Sequence, residues 1–335
     1  MKIAINGFGR IGRIFLRNIL DRPDIQVVAI NDLTDTQTLA HLFKYDSVHR
    51  GFKGTVNFDA DNLYINDRQI KVLAERNPQA LPWTALDIDL VIESTGKFTS
   101  GEGAGLHLAA GAKQVIISAP STDKSVPTVV LAVNDNLVDL SSPILSNASC
   151  TTNNVAAMVK ILDENWGIVD GYITTVHSMT GDQSLHDAPH KDLRRARAAS
   201  ASIIPTTTGA AKAITAIFPH LDGRLGGAGI RVPVLNGSLT DFTCSLKKQP
   251  TINEINIAFK QAANGPMKNV LEYTEDPIVS TDILDNPHSC IFDAQLTSIV
   301  GGLVKVVGWY DNEMGYSSRL ADLVQKIAEI KKQPA

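Results

Sequence analysis

Residues 3–12 read Ile3-Ala4-Ile5-Asn6-Gly7-Phe8-Gly9-Arg10-Ile11-Gly12, an apolar strand pattern that leads directly into a glycine-rich turn. The glycines have the spacing G-x-G-x-x-G between a predicted strand and a predicted helix. In that position Gly7 permits the tight turn, Gly9 lets the backbone approach a pyrophosphate, and Gly12 lets the helix pack close to the strand. The helix N-terminus then faces the phosphates. The stretch therefore predicts a dinucleotide-binding turn at the start of an α/β sheet.

An acidic residue follows the second predicted strand. Val27–Ile30 is apolar and β-branched, and Asp32 comes after it, 20 residues past Gly12. A carboxylate at this distance accepts hydrogen bonds from the adenosine ribose hydroxyls, and its charge repels a 2′-phosphate. The motif thus favours NAD over NADP. The alternative interpretation is a glycine-rich tight turn with an ordinary surface aspartate.

The first half of the chain alternates short apolar runs with helical patterns. The helical stretch after Gly9 places Ile11, Ile14, Phe15 and Ile19 on one face, and Pro23 ends it. A strand, a helix and a strand within about 30 residues predict a parallel βαβ unit. The predicted strands are Ile3–Ile5, Val27–Ile30, Leu90–Glu93, Val115–Ser118 and Val129–Val133.

The pattern changes near residue 150, where the segments become longer. Thr151–Trp166 is a predicted helix, and Ser317–Lys332 is a predicted final helix. The predicted strands between them are Tyr172–His177, Ala228–Val234, Leu239–Lys247 and Leu303–Tyr310, and the predicted helices are Gly209–Phe218 and Ile252–Asn264. This order indicates an α+β domain with a mostly antiparallel sheet.

Composition excludes several classes of protein. The 335 residues are 44% hydrophobic and 20% charged, which is typical of a globular chain and unlike a disordered or collagen-like one. The 31 basic and 35 acidic residues give a formal net charge of −4, which gives no electrostatic reason to expect a nucleic acid as the main partner. No apolar run approaches the roughly 18 residues of a membrane helix, and the N-terminus lacks the pattern of a signal peptide.

The three cysteines, Cys150, Cys244 and Cys290, form no CxxC pair and cannot all pair with one another. A reducing, cytoplasmic setting is expected, with at least one free thiol. Cys150 lies between the apolar pair Ile144–Leu145 and the helix Thr151–Trp166, where helix dipole and backbone N–H groups stabilise a thiolate. A single cysteine is otherwise usually a small buried apolar residue, which is the interpretation given to Cys244 and Cys290.

A reactive cysteine needs a base, and His177 ends the strand 27 residues later. From the pattern alone, a histidine at a strand end is either that base or a structural or surface residue. Two further features suggest anion ligands. Thr206–Gly209 precedes a helix, and Arg231 lies in an apolar strand, where it binds an anion or forms a structural ion pair. The basic residues Lys191, Arg194, Arg195 and Arg197 belong to a solvated loop, a phosphate site or a subunit interface.

Along essentially its whole length the sequence resembles the glyceraldehyde-3-phosphate dehydrogenase family. The matching stretches are Ile5–Arg13, Lys44–Ser47, Ser146–Asn153, Asp192–Arg197, Ile203–Lys212, Arg231–Pro233 and Trp309–Ser317. The resemblance implies a Rossmann-type doubly wound parallel sheet and an α+β catalytic domain with a mostly antiparallel sheet. It implies an NAD-binding domain at 1–149, completed by the C-terminal helix at about 313–335, and a catalytic domain at 150–312.

The resemblance also implies a mechanism and its residues. Cys150 attacks the aldehyde carbon of D-glyceraldehyde 3-phosphate, His177 acts as the base, and inorganic phosphate cleaves the resulting thioester to give 1,3-bisphosphoglycerate. Thr180, Arg195 and Arg231 hold the C3 phosphate, and Ser149, Thr151, Thr208 and Gly209 hold the attacking phosphate. The expected NAD ligands are Gly7, Gly9, Arg10, Ile11, Gly12, Asp32, Arg76, Ser118 and Asn312. Metal, membrane and nucleic acid are not required, and a homotetramer in the cytoplasm is expected.

Two alternatives and one departure accompany this reading. Erythrose-4-phosphate dehydrogenase is a close relative that hydrolyses its thioester, but Pro205–Lys212 matches the phosphorylating enzyme. A binding or scaffold role would be secondary and would not require Cys150. Many family members have a second cysteine four residues after the nucleophile, where this sequence has Asn154. The intramolecular disulfide between these two positions is therefore predicted not to form.

Overall fold

The computed structural model describes residues 1–332, and the chain divides into two units. The first unit contains residues 1–129, 135–148 and Ser317 onwards; the second contains residues 130–134 and 149–316. The helices are α1 (Arg10–Ile19), α2 (Thr36–Lys44), α3 (Trp83–Leu86), α4 (Gly101–Ala109), α5 (Cys150–Trp166), α6 (Ala210–Ile217), α7 (Ile252–Asn264) and α8 (Met314–Lys332). No helix within residues 1–332 combines the length and apolar character needed to cross a membrane.

The first unit is built on a sheet with the strand order β3-β4-β5-β2-β1-β6-β7-β8. Its strands are β1 (Lys2–Asn6), β2 (Gln26–Asn31), β3 (Val56–Phe58), β4 (Asn62–Ile65), β5 (Arg68–Leu73), β6 (Leu90–Glu93), β7 (Val115–Ile117) and β8 (Ile144–Ser146). The strands from β5 to β8 in this order pair in parallel, whereas β3, β4 and β5 pair antiparallel. The central strands are short and buried on both faces, as parallel strands covered by helices require. The predicted doubly wound parallel sheet is confirmed.

The last helix, α8, packs against the end of α1 from Ser317 onwards. Arg22, just beyond α1, donates to the Ala321 carbonyl oxygen at 2.9 Å and to the Asp322 carboxylate at 2.6 Å. Asn18 donates to the Ser318 hydroxyl at 3.1 Å. These bonds tie the C-terminal segment to the first unit. Residues 333–335 of the expected helical segment lie outside the described residues.

The second unit contains a mostly antiparallel sheet, as the sequence predicts. Its main strand order is β10-β11-β9-β12-β16-β14-β13, and β15 pairs with β16. The strands are β9 (Ile168–Ser178), β10 (Ile204–Thr206), β11 (Leu225–Val232), β12 (Ser238–Leu246), β13 (Leu271–Thr274), β14 (Cys290–Asp293), β15 (Ser298–Val300) and β16 (Leu303–Tyr310). The pairs β9–β11 and β13–β14 are parallel. Because His177 is in register with Arg231, two predicted site residues lie side by side.

The predicted strand Val129–Val133 is wrong. From Val130 the chain turns instead: Val133 and Asn134 both donate to the Val130 carbonyl oxygen at 3.1 Å, and Ala132 has a φ of +62°. The Asn134 side chain accepts from the Val130 N–H at 2.8 Å and completes the turn. The run is apolar because most of its side chains are buried, and a short apolar run has no period that separates a buried turn from a strand.

Candidate active site

Cys150 is the first residue of α5, and its neighbour Ser149 caps the helix. Ser149 has an extended backbone, and its hydroxyl oxygen accepts the Thr152 N–H at 3.0 Å. An N-cap serine satisfies one of the N–H groups that a helix start leaves free, and the remaining ones carry the positive end of the helix dipole. The sequence Ser149–Thr152 thus places the Cys150 thiol at an anion-stabilising helix N-terminus, where Cys150 is partly exposed.

His177 lies near the end of β9, with its Nε2 atom 3.5 Å from the Cys150 Sγ atom. On the other side of the ring, Nδ1 lies 2.8 Å from the carbonyl oxygen of Ser178. A carbonyl can only accept, and the two Nη1 hydrogens of the nearby Arg231 have acceptors in the Ser178 carbonyl and the Thr180 hydroxyl, so we assign the proton to Nδ1. Nε2 is then the unprotonated nitrogen and faces the thiol, as a general base must.

Arg231 lies next to His177, across the parallel pair β9–β11. Its Nη1 atom donates to the Ser178 carbonyl at 3.1 Å and to the Thr180 hydroxyl at 3.0 Å, and it lies 2.9 Å from Nδ1 of His177. Burial, together with this cation, lowers the pKa of His177 to about 4. His177 is therefore neutral near pH 7 and free to accept a proton.

The electrostatics of Cys150 differ from the sequence expectation of a stabilised thiolate. Burial of the thiol raises its pKa, and the charge of Arg231 and hydrogen bonds from Thr151 act in the opposite direction. Because burial dominates, the thiol keeps its proton until an acceptor takes it. Reactivity at neutral pH then depends on the adjacent Nε2 atom.

Tyr310 is a neighbour that the sequence analysis did not single out. Its hydroxyl lies 2.9 Å from the hydroxyls of Thr151 and Thr175, and its ring stands edge-on to His177 with centroids 6.0 Å apart. Burial raises the pKa of Tyr310, so the hydroxyl stays protonated. The sequence places Tyr310 at the end of the predicted strand Leu303–Tyr310, within a stretch that matches the family, but its proximity to His177 depends on strand register.

The expected ligands of the C3 phosphate assemble around one carboxylate, that of Asp182. Arg195 Nη1 lies 2.6 Å from Asp182 Oδ2, and the Thr180 hydroxyl donates to Asp182 Oδ1. Burial alone raises the pKa of Asp182, but the Thr180 hydroxyl and the charges of Arg231 and Arg195 outweigh burial and lower it. A phosphate that binds Arg195 would therefore have to compete with Asp182. The sequence analysis missed it, although two nearby arginines make an acidic neighbour a reasonable expectation.

The expected ligands of the attacking phosphate occupy two helix starts. Ser149 and Thr151 belong to the start of α5. Gly209 is the N-cap residue of α6, and a Cβ atom at this position would meet no other atom within 4 Å. The Thr208 hydroxyl accepts the Ala210 N–H at 3.2 Å. Thr151 is buried with its hydroxyl against Tyr310, so it is the least available of the four. Within residues 1–332, Thr208 and Ser149 form no hydrogen bond with each other.

In the first unit, a cavity of about 320 Å³ opens at the carboxyl edge of the parallel strands. A Cβ atom at Gly9 would meet nothing within 4 Å, which leaves the backbone open to a ligand. Gly7 has a φ of +93°, and a Cβ there would lie 2.7 Å from the Thr95 nitrogen, so only glycine fits. The cavity is lined by Asn6, Gly7, Gly9, Asn31, Asp32, Leu33, Glu75, Arg76, Ser94, Thr95, Lys97 and Phe98. Glycine backbone, two acidic side chains and two basic side chains fit an adenine dinucleotide.

The other expected NAD ligands lie elsewhere. Arg10 forms an ion pair with Asp46, Ile11 lies in α1, Gly12 packs against the Gly7 carbonyl, and Ser118 follows β7. Asp32 already accepts the Phe8 N–H at 2.8 Å and the Thr34 N–H at 3.0 Å, so it also fixes the glycine turn. The sequence analysis missed the lining segment Ser94–Phe98; its signal was its position directly after the buried strand Leu90–Glu93.

Asn312 belongs to the second unit, where it follows β16. Its Oδ1 atom accepts from the Ser178 hydroxyl at 2.8 Å, the Ser238 hydroxyl at 2.9 Å and the Gly237 N–H at 3.2 Å. Asn312 is buried, with only 6% of its surface exposed. Its orientation is therefore fixed within the second unit itself.

A dinucleotide-binding sheet in one unit and a cysteine–histidine pair in the other point to a class of protein, the dinucleotide-dependent oxidoreductases. Comparison with known proteins narrows the class. Residues 1–101 match the NAD binding domain of glyceraldehyde 3-phosphate dehydrogenase, and residues 149–312 match its C-terminal domain. The chain belongs to the glyceraldehyde-3-phosphate dehydrogenase family.

Curated relatives agree over nearly the full length. The chain is 52% identical to glyceraldehyde-3-phosphate dehydrogenase 2 of Streptomyces avermitilis, with 96% of this chain and 97% of the relative covered. It is 52% identical to glyceraldehyde-3-phosphate dehydrogenase of Mycobacterium avium, with coverage of 98% and 99%. The enzyme of the same name from Streptomyces coelicolor is 53% identical, with coverage of 96% and 97%.

Proposed function

We propose that the protein oxidises D-glyceraldehyde 3-phosphate with NAD and inorganic phosphate to give 1,3-bisphosphoglycerate. The observation that carries this proposal is the Cys150–His177 pair, 3.5 Å apart at the start of α5 with Arg231 beside it, in a chain of this family. A thiol and a neutral imidazole at this distance are equipped for covalent attack on a carbonyl.

The chemistry divides between Cys150 and His177. Cys150 Sγ bonds to the aldehyde carbon, the thiol proton passes through His177 to the carbonyl oxygen, and a hemithioacetal forms. When bound, NAD accepts the hydride from that carbon. His177 Nε2 takes the hydroxyl proton as the carbon is oxidised, which leaves a thioester on Cys150. Phosphate oxygen then attacks the thioester carbon and the C–S bond breaks. The proton on His177 returns to the Cys150 sulfur, and the proton of the attacking phosphate is released to solvent.

Two sets of residues are proposed to hold the phosphates. Arg231, Arg195 and Thr180 bind the C3 phosphate, because two guanidinium groups and a hydroxyl converge there. Ser149, Thr151, Thr208 and Gly209 bind the attacking phosphate, since they supply hydroxyls and N–H groups at two helix starts.

For NAD, the proposed ligands are those of the sequence prediction. Gly7, Gly9, Asp32 and Arg76 line the cavity of the first unit, and the Asp32 carboxylate favours NAD over NADP because it repels a 2′-phosphate. Arg10, Ile11, Gly12, Ser118 and Asn312 complete the proposed set, with Asn312 assigned to the nicotinamide carboxamide. Residues 1–149 with the C-terminal helix are proposed as the NAD-binding domain and 150–312 as the catalytic domain. The family resemblance further supports a cytoplasmic homotetramer.

The test is NADH formation at 340 nm from D-glyceraldehyde 3-phosphate and NAD, with and without inorganic phosphate. We expect turnover that depends on phosphate and is much faster with NAD than with NADP. Erythrose 4-phosphate serves as the competing substrate. Turnover that is independent of phosphate, or a preference for the four-carbon sugar, would contradict the proposal and favour an erythrose-4-phosphate dehydrogenase.

A further inference from the structure

The side-chain amide of Asn312 is fixed in one orientation. One of the groups it contacts is the Gly237 N–H, 3.2 Å from Oδ1, and a backbone N–H can only donate. The amide atom at this position must therefore be the oxygen and not the nitrogen. The hydroxyls of Ser178 and Ser238 add two further donors at 2.8 and 2.9 Å. An amide oxygen has two lone pairs, so these donors fill its accepting capacity.

The two serines form a connected, buried unit. Ser178 is 0% exposed and Ser238 is 1% exposed, and the Ser238 hydroxyl accepts the Ser178 N–H at 3.1 Å. The Ser178 carbonyl also accepts the Nδ1 proton of His177 at 2.8 Å. Ser178 thus holds the proposed base through its carbonyl group and the Asn312 amide through its hydroxyl group.

Gly237 can contribute its N–H because it is a glycine. Its φ is +89°, and a Cβ atom at this position would lie 2.5 Å from the Ser280 carbonyl oxygen. Any other residue would move the loop before β12 and with it the N–H that faces Asn312. The glycine conformation of this loop thus holds the N–H toward Asn312.

We propose that Ser178 and Ser238 are positioning residues that make Asn312 a pure hydrogen-bond donor toward the cofactor. With Oδ1 saturated, only the Nδ2 amide group is left for a ligand, so Asn312 recognises the carbonyl oxygen of the nicotinamide carboxamide and not its NH₂ group. This inference rests on the proposed function, in which Asn312 binds the carboxamide, and adds the two residues that decide which carboxamide atom is recognised.

Binding of NAD and of ADP-ribose to the full-length, nucleotide-free protein, measured by calorimetry, tests the inference. ADP-ribose lacks the nicotinamide ring, so it does not report on Asn312. We expect Ser178→Ala to raise the Kd of NAD by about 2- to 12-fold, the range for one lost hydrogen bond, and to leave the Kd of ADP-ribose unchanged. In an Asn312→Ala background, Ser178→Ala should have no further effect on NAD, because it acts only through Asn312.

Thr240→Val is the matched control. Thr240 lies two residues after Ser238 on β12, and its buried hydroxyl finds no hydrogen-bond partner in residues 1–332. The control should leave both Kd values at the wild-type level. The inference is overturned if Ser178→Ala weakens both ligands equally, or if its effect on NAD persists in Asn312→Ala. If the wild type forms no NADH but Ser178→Ala still weakens NAD binding selectively, the proposed reaction is wrong and the positioning role is supported.

Discussion

Cys150 is partly exposed at the start of α5, and its reactivity depends on where its thiol proton can go. Burial raises its pKa, and the acceptor within reach is Nε2 of His177 at 3.5 Å. His177 can serve because burial and Arg231 lower its pKa to about 4, so it is unprotonated at neutral pH. In the proposed mechanism the pair therefore transfers a proton as it reacts, and Cys150 does not have to be a thiolate beforehand.

This account predicts a change in the pH profile of thiol alkylation in His177→Asn. In the wild type, iodoacetamide should label Cys150 at neutral pH, because the imidazole accepts the proton during the reaction. In the variant, the reaction must wait for the free thiolate, so labelling should become fast only at a pH higher than an ordinary thiol requires, because burial raises the pKa of Cys150. Equal profiles for the two proteins would remove His177 from this role.

Asn154 determines how Cys150 should respond to oxidation. Asn154 is fully buried one turn after Cys150 and donates to the Trp309 carbonyl at 3.2 Å, and Cys244 and Cys290 are buried free thiols. Peroxide should therefore add oxygen to Cys150 without forming an internal disulfide, as read by intact mass and peptide mapping. Asn154→Cys is the comparison variant, because it restores a second sulfur on the same helix face. A disulfide involving Cys150 in the unmodified chain would refute the prediction.

At the scale of secondary-structure elements, the start of α5 combines a structural and a chemical role. The hydroxyl of Ser149 caps the helix, and the same residue is proposed to bind the attacking phosphate. Ser149→Ala should lower the free energy of unfolding by about 0.5–2 kcal/mol, the usual cost of a lost cap, and should raise the KM for phosphate. Denaturant unfolding and steady-state kinetics measure the two effects separately.

Thr251→Ala is the matched control, since Thr251 caps α7 through a complete capping box with Glu254. It should lower stability by a similar amount. It should leave the KM for phosphate unchanged. If both variants change KM equally, the effect of Ser149 is one of stability alone.

The elements that could be predicted from the sequence are those whose signal lies within a few neighbouring residues. The glycine turn, α5, α7 and β16 follow from spacing, capping residues and periodicity, and Cys150 and His177 follow from their positions at element ends. Val129–Val133 could not be assigned, because burial and not strand formation makes it apolar. Tyr310 and Asp182 escaped prediction for another reason. Their proximity to His177 and Arg195 is created by strand register and loop folding, which one sequence does not display.

At the scale of the whole molecule, each of the two units is built from segments that are not consecutive in the sequence. Residues 130–134 belong with the second unit, and Ser317 onwards belongs with the first. A change in composition near residue 150 marks the main boundary, but it does not reveal that these two segments belong to the other unit. The bonds of Arg22 to Ala321 and Asp322 show what holds the C-terminal helix, and they join residues about 300 positions apart.

Stability should depend on pH through His177. The unfolded chain protonates this histidine near pH 6.5, whereas the folded protein resists protonation until about pH 4. Between these values the unfolded state binds more protons, so the free energy of unfolding should fall as the pH drops, by up to about 3 kcal/mol. His177→Asn should lose this contribution, and His41→Asn, at an exposed histidine, should retain it. Denaturant unfolding from pH 7 to pH 4 gives the free energy of unfolding for the wild type and both variants. If this free energy has the same pH dependence in all three proteins, the account is contradicted.

The most direct test of the central claim is to trap the acyl group on Cys150. The protein is mixed with D-glyceraldehyde 3-phosphate and NAD without phosphate, quenched in acid and mapped by peptide mass, with Cys150→Ser as the control. We predict a phosphoglyceryl thioester on the peptide that contains Cys150, absent from the control and lost when inorganic phosphate is added before the quench. NADH formation without any adduct, an adduct on another residue, or an adduct that survives phosphate would contradict the proposed mechanism.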